Sequence, residues 1–203
     1  MTAPDSKFVG RGALKLAHAL DTFGVDVRGI IAADFGCNVG GFTDCLLQRG
    51  AARVFAVDTG YGALAWTLRK DPRVTVMERT NALHAPAPPG GVDLVVIDLG
   101  WTPQAKAVPA AASWIRKSND LSNPLGLITL IKPHYEVTAS ERALLSNGVL
   151  PDHDAQRIAD RTVASLRADG WEVKACTRSP ILGGASKGHA GNAEWLAWIA
   201  PRT

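Results

Sequence analysis

The segment AADFGCNVGGFTD, residues 32–44, decides the fold. Its first residues close a short apolar run, GIIAAD (29–34), that reads as a β-strand ending at Asp34. Gly36 follows, and Gly40 with Gly41 then opens a stretch that reads as a helix over 41–48. Glycine here lets the backbone turn sharply and approach a ligand where a Cβ atom would obstruct it. The order strand, glycine turn, helix also leaves unpaired N–H groups and the positive end of a helix dipole facing any anionic group bound there. The spacing Gly36-x-x-x-Gly40 is not the GxGxxG of dinucleotide enzymes, and the chain has no GxxxxGK[ST] for a nucleoside triphosphate. Taken alone, the loop leaves several nucleotide-binding families open.

Outward from this segment, β-rich apolar runs recur at 53–58, 73–79, 92–99, 125–132, 171–177 and 192–200. With the first run they make seven candidate strands. Residues 10–23, 41–48, 62–70, 102–117 and 152–169 read as helices between or before them, the last with Ile158, Val163 and Leu166 spaced as an apolar face. Strands alternating with helices imply an α/β domain on a mostly parallel sheet with helices on both faces. The segment 138–151 reads equally as a lid or as a linker with one helical turn.

At 203 residues the chain fits one compact domain, expected over 1–203 with a leading helix segment at 1–25 and the core at 26–203. No apolar run approaches the roughly 20 residues that span a bilayer, and the first residues lack a signal-peptide pattern, so a soluble cytoplasmic protein is expected. Three cysteines, Cys37, Cys45 and Cys176, form no CxxC pair and suggest neither a disulfide framework nor a zinc site. The net charge of +3 permits a polyanionic partner without demanding one.

Three candidate strands carry an aspartate at or near their last position, Asp34, Asp58 and Asp98, and a fourth carries Lys132. Strand carboxyl ends are where open α/β sheets contact ligands. Asp58, about 20 residues past the glycine loop, stands where an acidic side chain binds ribose hydroxyls. Asn81, after the third strand, is placed to reach a base edge. Lys15, Asp98, Lys132 and Glu194 lie where such a sheet would bring them together. No GxSxG or HExxH motif competes with them, and the five histidines have no metal-ligand spacing.

The segments GRGALKL, DFGCNVGGFTDCLLQRGA, ERTNA, VVIDLG, LIKPHYE and SPILGGASKGHAGNAEWL resemble the TlyA group of FtsJ-like RNA 2′-O-methyltransferases in order and over most of the chain. The resemblance implies a Rossmann-like class I methyltransferase fold and S-adenosylmethionine as cofactor. It places that cofactor against Asp34, Gly36, Cys37, Asn38, Gly40, Gly41, Phe42, Asp58, Asn81 and Asp98. It also implies a catalytic tetrad of Lys15, Asp98, Lys132 and Glu194, with Lys132 removing the proton of a ribose 2′-hydroxyl. A free lysine, with a pKa of about 10.4, is protonated at neutral pH, so that role needs desolvation or a nearby ammonium such as Lys15.

The sequence departs from the family pattern in three ways. Cys37, Asn38 and Val39 replace the usual small and hydroxyl residues of the loop, and Gly100-Trp101 replaces serine-phenylalanine after Asp98. The small N-terminal RNA-binding domain usual in the group is also not expected here. Contact with RNA, expected to be ribosomal RNA or a ribosomal subunit, would then fall to Lys7, Arg11, Arg79, Arg178, Lys187 and His189. Trp101 and Tyr135 would stack on an unpaired base or else close the edge of the core. The competing readings are a non-catalytic cofactor- or RNA-binding module of the same fold, a membrane-active haemolysin, and a methyltransferase for a protein or small molecule. The oligomeric state is left open.

Overall fold

The computed structural model describes residues 8–117, 125–184 and 190–201. Its strands are β1 (Ile31–Phe35), β2 (Arg53–Val57), β3 (Val74–Met77), β4 (Leu94–Ile97), β5 (Gly126–Ile131), β6 (Val173–Arg178) and β7 (Trp195–Ile199). They form one sheet in the order β3-β2-β1-β4-β5-β7-β6. Strands β1 to β5 pair in parallel, and β7 inserts antiparallel between β5 and β6. The expected seven-stranded, mostly parallel sheet is the one observed.

The helices are α1 (Gly12–Phe23), α2 (Gly41–Gln48), α3 (Trp66–Arg69), α4 (Gln104–Ala112) and α5 (Asp152–Ala168). The inner strands are apolar at successive positions because both faces are covered. In β5, Ile128 and Leu130 join a cluster with Leu16 and Leu20 of α1 and Leu46 of α2, while Leu127 and Ile131 join Val108 of α4 and Ile158 of α5. Burial of Ile158, Val163 and Leu166 confirms the apolar face read from their spacing. Trp114 is fully buried on the α4 and α5 side, edge-on to Phe35 at 4.9 Å between ring centroids, and its Nε1 donates to the Ala85 carbonyl.

Two helices, α3 and α4, are shorter than their sequence spans by more than two residues. The span 62–70 becomes helical only at Trp66 because Gly62, at φ +76°, belongs to a turn whose N–H donates to Glu78. The span 102–117 ends at Ala112, since Ile115 pairs with Val92 as an isolated bridge and Arg116 forms an ion pair with Asp93. Tertiary pairing outweighs helix propensity there.

The segment 138–151 holds a 3₁₀ turn, Ala139–Leu144, started by a capping box between Thr138 and Glu141. The Glu141 carboxylate accepts from Arg157 at 2.8 Å and Arg161 at 2.6 Å, which fastens the turn to α5. Among the described residues, no helix is long and apolar enough to cross a membrane.

Candidate active site

In the strand order 3-2-1-4-5, chain connections leave in opposite directions on either side of the β1 and β4 pair, which opens a crevice beyond their carboxyl ends. The glycine segment fills its floor. Gly36 and Cys37 both donate their N–H groups to the Val57 carbonyl at the end of β2, and Gly40 N–H donates to the Cys37 carbonyl. Gly36, at φ +86°, passes so close to β4 that a Cβ atom would lie 2.7 Å from the Asp98 carbonyl oxygen. A side chain is therefore excluded both by backbone conformation and by contact.

Asp34 is fully buried beneath this loop. Its Oδ2 accepts from the Thr43 N–H at 2.9 Å and the Thr43 hydroxyl at 2.7 Å, capping the first turn of α2. Among the described residues its Oδ1 has no hydrogen-bond partner. Burial raises its pKa to about 7 against the opposing Thr43 bonds, and the nearby Asp98 and Asp58 charges add to the rise. Asp34 lines neither cavity of the site; it shapes the loop from below.

Asp58 ties the loop to β2. Its Oδ2 accepts from the Asn38 N–H at 2.9 Å and its Oδ1 from the Gly60 N–H at 2.7 Å. A carboxylate offers about four lone-pair positions, so acceptor capacity remains for hydroxyl groups. Asn38 stands at φ +47°, an uncommon value for a non-glycine residue.

A cavity of about 830 Å³ runs from Asp58, Asn81 and Leu83 to Asp98, Lys132 and Glu194. A smaller recess of about 180 Å³ adjoins it, sharing Lys15, Gly36, Asn38 and Asp98 and reaching Cys37, Gly41 and Phe42. Cys37 is buried, and burial followed by the Asp34, Asp58 and Glu78 charges drives its thiol pKa upward, keeping it a neutral thiol. Gly40 turns away, packing against Leu64 and Leu68 at φ +100°.

Lys15, Asp98, Lys132 and Glu194 all face the larger cavity. They meet as two ion pairs: Lys15 Nζ to Glu194 Oε2 at 2.5 Å, and Lys132 Nζ to Asp98 Oδ1 at 2.6 Å. Lys15 arrives from α1, whose apolar face Ala13, Leu16, Ala19 and Leu20 is buried against the sheet. Burial raises the Glu194 carboxyl pKa, opposed by Lys15. The phenol of Tyr135 is pushed up by burial and by the Glu194 and Asp98 charges.

Sequence reasoning missed His134 and Asn192, which also line this cavity. Burial, then the charges of Lys132 and Lys15, hold the His134 imidazole at a pKa of about 4, hence neutral at physiological pH. Its place in KPHYE, directly after the carboxyl end of β5, was the available signal. Glu136 of the same stretch accepts from the Gln104 N–H at 2.8 Å, which joins the loop after β5 to the start of α4.

Trp101 is 83% exposed at φ +52°, with its ring centroid 5.4 Å from that of Tyr135. It stands at the cavity mouth instead of closing the core. Arg79 lies over the Tyr61 ring at 4.3 Å, and Arg178 pairs with Asp152 and covers Trp195. Arg11 donates to the Leu182 carbonyl at 3.4 Å. Lys7, Lys187 and His189 lie outside the described residues.

Comparison with known proteins gives the family and agrees with the fold. Residues 8–194 match the family model described as FtsJ-like methyltransferase. The chain is similar to the 16S/23S rRNA (cytidine-2′-O)-methyltransferase TlyA of Mycobacterium tuberculosis, at 39% identity over 208 residues covering 100% of this chain and 72% of that protein. A solved structure of a hemolysin-named protein from Streptococcus thermophilus superposes with a TM-score of 0.84 at 32% identity, covering 98% of this chain and 69% of that one. Fibrillarin from Aeropyrum pernix, solved with natively bound S-adenosyl-L-methionine, shares the fold at a TM-score of 0.57 and 17% identity, over 92% of this chain and 76% of its own.

Proposed function

The chain belongs to the FtsJ-like methyltransferase family, and from that premise we propose that it methylates a ribose 2′-hydroxyl of ribosomal RNA with Lys132 as the base. It is an S-adenosylmethionine-dependent methyltransferase. The observation that carries the reading is the meeting of the Lys15–Glu194 and Lys132–Asp98 ion pairs in a cavity continuous with the glycine loop and Asp58. The relative from Mycobacterium tuberculosis, named for 2′-O-methylation of cytidine in 16S and 23S rRNA, supports the choice of ribosomal RNA.

The residues present suit the cofactor. The recess between Gly41, Asn38 and Lys15 lies at the start of α2, where the helix dipole and the Lys15 ammonium favour a carboxylate. Asp58 keeps acceptor positions for ribose hydroxyls, and Ala82 with Leu83 provides an apolar wall beside Asn81 for a base. When bound, S-adenosylmethionine supplies an electrophilic methyl group on a positively charged sulfur.

Lys132 would accept the 2′-hydroxyl proton, leaving the ribose oxygen as the nucleophile for the methyl group that bound S-adenosylmethionine would supply. Asp98 fixes the Lys132 side chain at 2.6 Å, and Glu194 fixes Lys15 at 2.5 Å, so the nitrogens hold defined positions around the hydroxyl. Orientation of hydroxyl and methyl in line supplies much of the acceleration in such a transfer. Trp101 and Tyr135 stack on the target base, and Arg79 engages backbone phosphate next to the cavity.

The test is incubation with methyl-labelled cofactor and intact ribosomal subunits. Label is expected in the RNA fraction. Label confined to protein, or none at all while the cofactor binds, would overturn the reading.

A further inference from the structure

We propose that Asn192 is a positioning residue that sets the Glu194 carboxylate against Lys15 by pinning two loops to the chain ahead of β7. This rests on the tetrad reading above. Asn192 has all its polar groups engaged at the tetrad end of the cavity. Its Oδ1 accepts from the Leu150 N–H at 2.9 Å and its Nδ2 donates to the Gly148 carbonyl at 2.9 Å. Its backbone N–H donates to the Gly183 carbonyl at 2.8 Å, and its carbonyl accepts from the Gly183 N–H at 2.9 Å.

Asn192 therefore joins three stretches: the tight turn between Ser146 and Val149, the loop after β6, and the strand entry that carries Glu194 two residues later. The consequence for Glu194 comes through Gly183. A Cβ atom on Gly183 would overlap the Glu194 carboxylate, so the loop backbone stands directly against that group. With the loop held there by Asn192, the carboxylate has Gly183 on one side and the Lys15 ammonium on another. The charged and titratable groups acting on it are Lys15 from α1, Asp98 after β4 and Lys132 after β5, while its own charge acts on Tyr135. Breaking the Asn192 side-chain bonds to Leu150 and Gly148 releases the strand entry from the 146–149 turn, so the Asn192 backbone and the Gly183 loop paired with it shift together and Glu194 leaves Lys15, while the glycine loop and Asp58 at the other end of the cavity stay as they are.

The experiment compares wild type, Asn192→Ala, Asn192→Gln, Gly183→Ala and Lys132→Ala in methyl transfer to ribosomal subunits, with cofactor affinity measured separately. Gly183→Ala keeps both Asn192 side-chain bonds and pushes the Glu194 carboxylate directly, so it tests the contact through which Asn192 acts, and Asn192→Gln, which keeps the amide but displaces it by one methylene from Leu150 and Gly148, decides the matter if Asn192→Ala does not fold. The Asn192 and Gly183 variants are expected to lower kcat by about a hundredfold, the scale of a misplacement of about 1 Å. KM for RNA and cofactor affinity should stay near wild type. The acid limb of kcat should also move to higher pH, because a Glu194 carboxyl parted from Lys15 loses the interaction that opposes its burial. Wild-type kcat and pH profile in the Asn192 and Gly183 variants would overturn the inference, as would a loss seen only in KM or cofactor affinity. Wild-type transfer abolished by Lys132→Ala alongside unaffected Asn192→Ala and Gly183→Ala would reject the positioning role and leave the tetrad standing. A wild-type enzyme that transfers nothing, or a fully active Lys132→Ala variant, would remove the tetrad reading and this inference with it.

Discussion

Lys132 and Asp98 stand 2.6 Å apart at the carboxyl ends of neighbouring parallel strands, β5 and β4, so the pairing of the sheet itself delivers the amine to the carboxylate. Lys132 Nζ also lies 3.4 Å from the Asp98 carbonyl oxygen and 6.0 Å from the centre of the Tyr135 ring. Replacing Lys132 by alanine removes the proposed proton acceptor and leaves the glycine loop untouched. Transfer is expected to fall by at least about 10²-fold, the lower end for loss of a general base, with cofactor affinity retained. Calorimetric titration of the cofactor beside a transfer assay checks both; unchanged kcat would exclude Lys132 as the base.

Gly36→Ala places a Cβ against the Asp98 carbonyl at a φ of +86°. Left-handed backbone costs a non-glycine residue about 1–2 kcal/mol, and contact with a fixed carbonyl adds to this. The variant should melt at a lower temperature and bind cofactor more weakly. Wild-type values for both would mean the loop tolerates a displacement that its packing against β4 forbids.

Asp34 connects the loop to pH. Its folded pKa of about 7 exceeds the ordinary carboxyl value of about 3.9, so the folded protein binds the proton more tightly than the unfolded chain. The resulting stabilisation is complete below about pH 4 and is lost as pH rises through about 7, leaving a relative cost that tops out at about 4 kcal/mol. Asparagine at this position keeps an acceptor for Thr43 and does not titrate. In urea unfolding, the stability of Asp34→Asn minus that of wild type should grow from pH 5 to pH 8 and then level off. A difference independent of pH would contradict the raised value.

Trp101 projects from a strained backbone beside the cavity and contributes little to the core. Base stacking on an aromatic ring is worth about 1–3 kcal/mol. Trp101→Ala should raise KM for RNA by about tenfold or more, with folding and cofactor affinity preserved, and Trp101→Phe should recover most of the loss. An unchanged KM in Trp101→Ala would show that the ring does not meet the substrate.

Most of the architecture was legible because its signals are local. Each strand of the sheet reads as an apolar run, and the α2 bounds follow from Gly41 at one end and from its apolar pattern. Helix lengths were not legible where distant partners decide them: Glu78 claims the Gly62 N–H, and Val92 claims Ile115. The same division holds in the site. Asp58, Asp98 and Lys132 announce themselves by standing at strand ends. Asp34 shows the limit of that rule, since a strand-end carboxylate can point beneath the loop and cap a helix. Asn192 carries no such mark, because its partners Gly148, Leu150 and Gly183 are brought to it only by the folded chain.

The position of the transferred methyl group tests the central claim most directly. RNA methylated by the purified protein is digested to nucleosides and analysed by mass spectrometry, with Lys132→Ala treated in parallel. The predicted result is a methyl group on the ribose 2′-oxygen of a ribosomal RNA nucleotide, present with wild type and absent with the variant. A methyl group on a base, or ribose methylation that persists without Lys132, would contradict it.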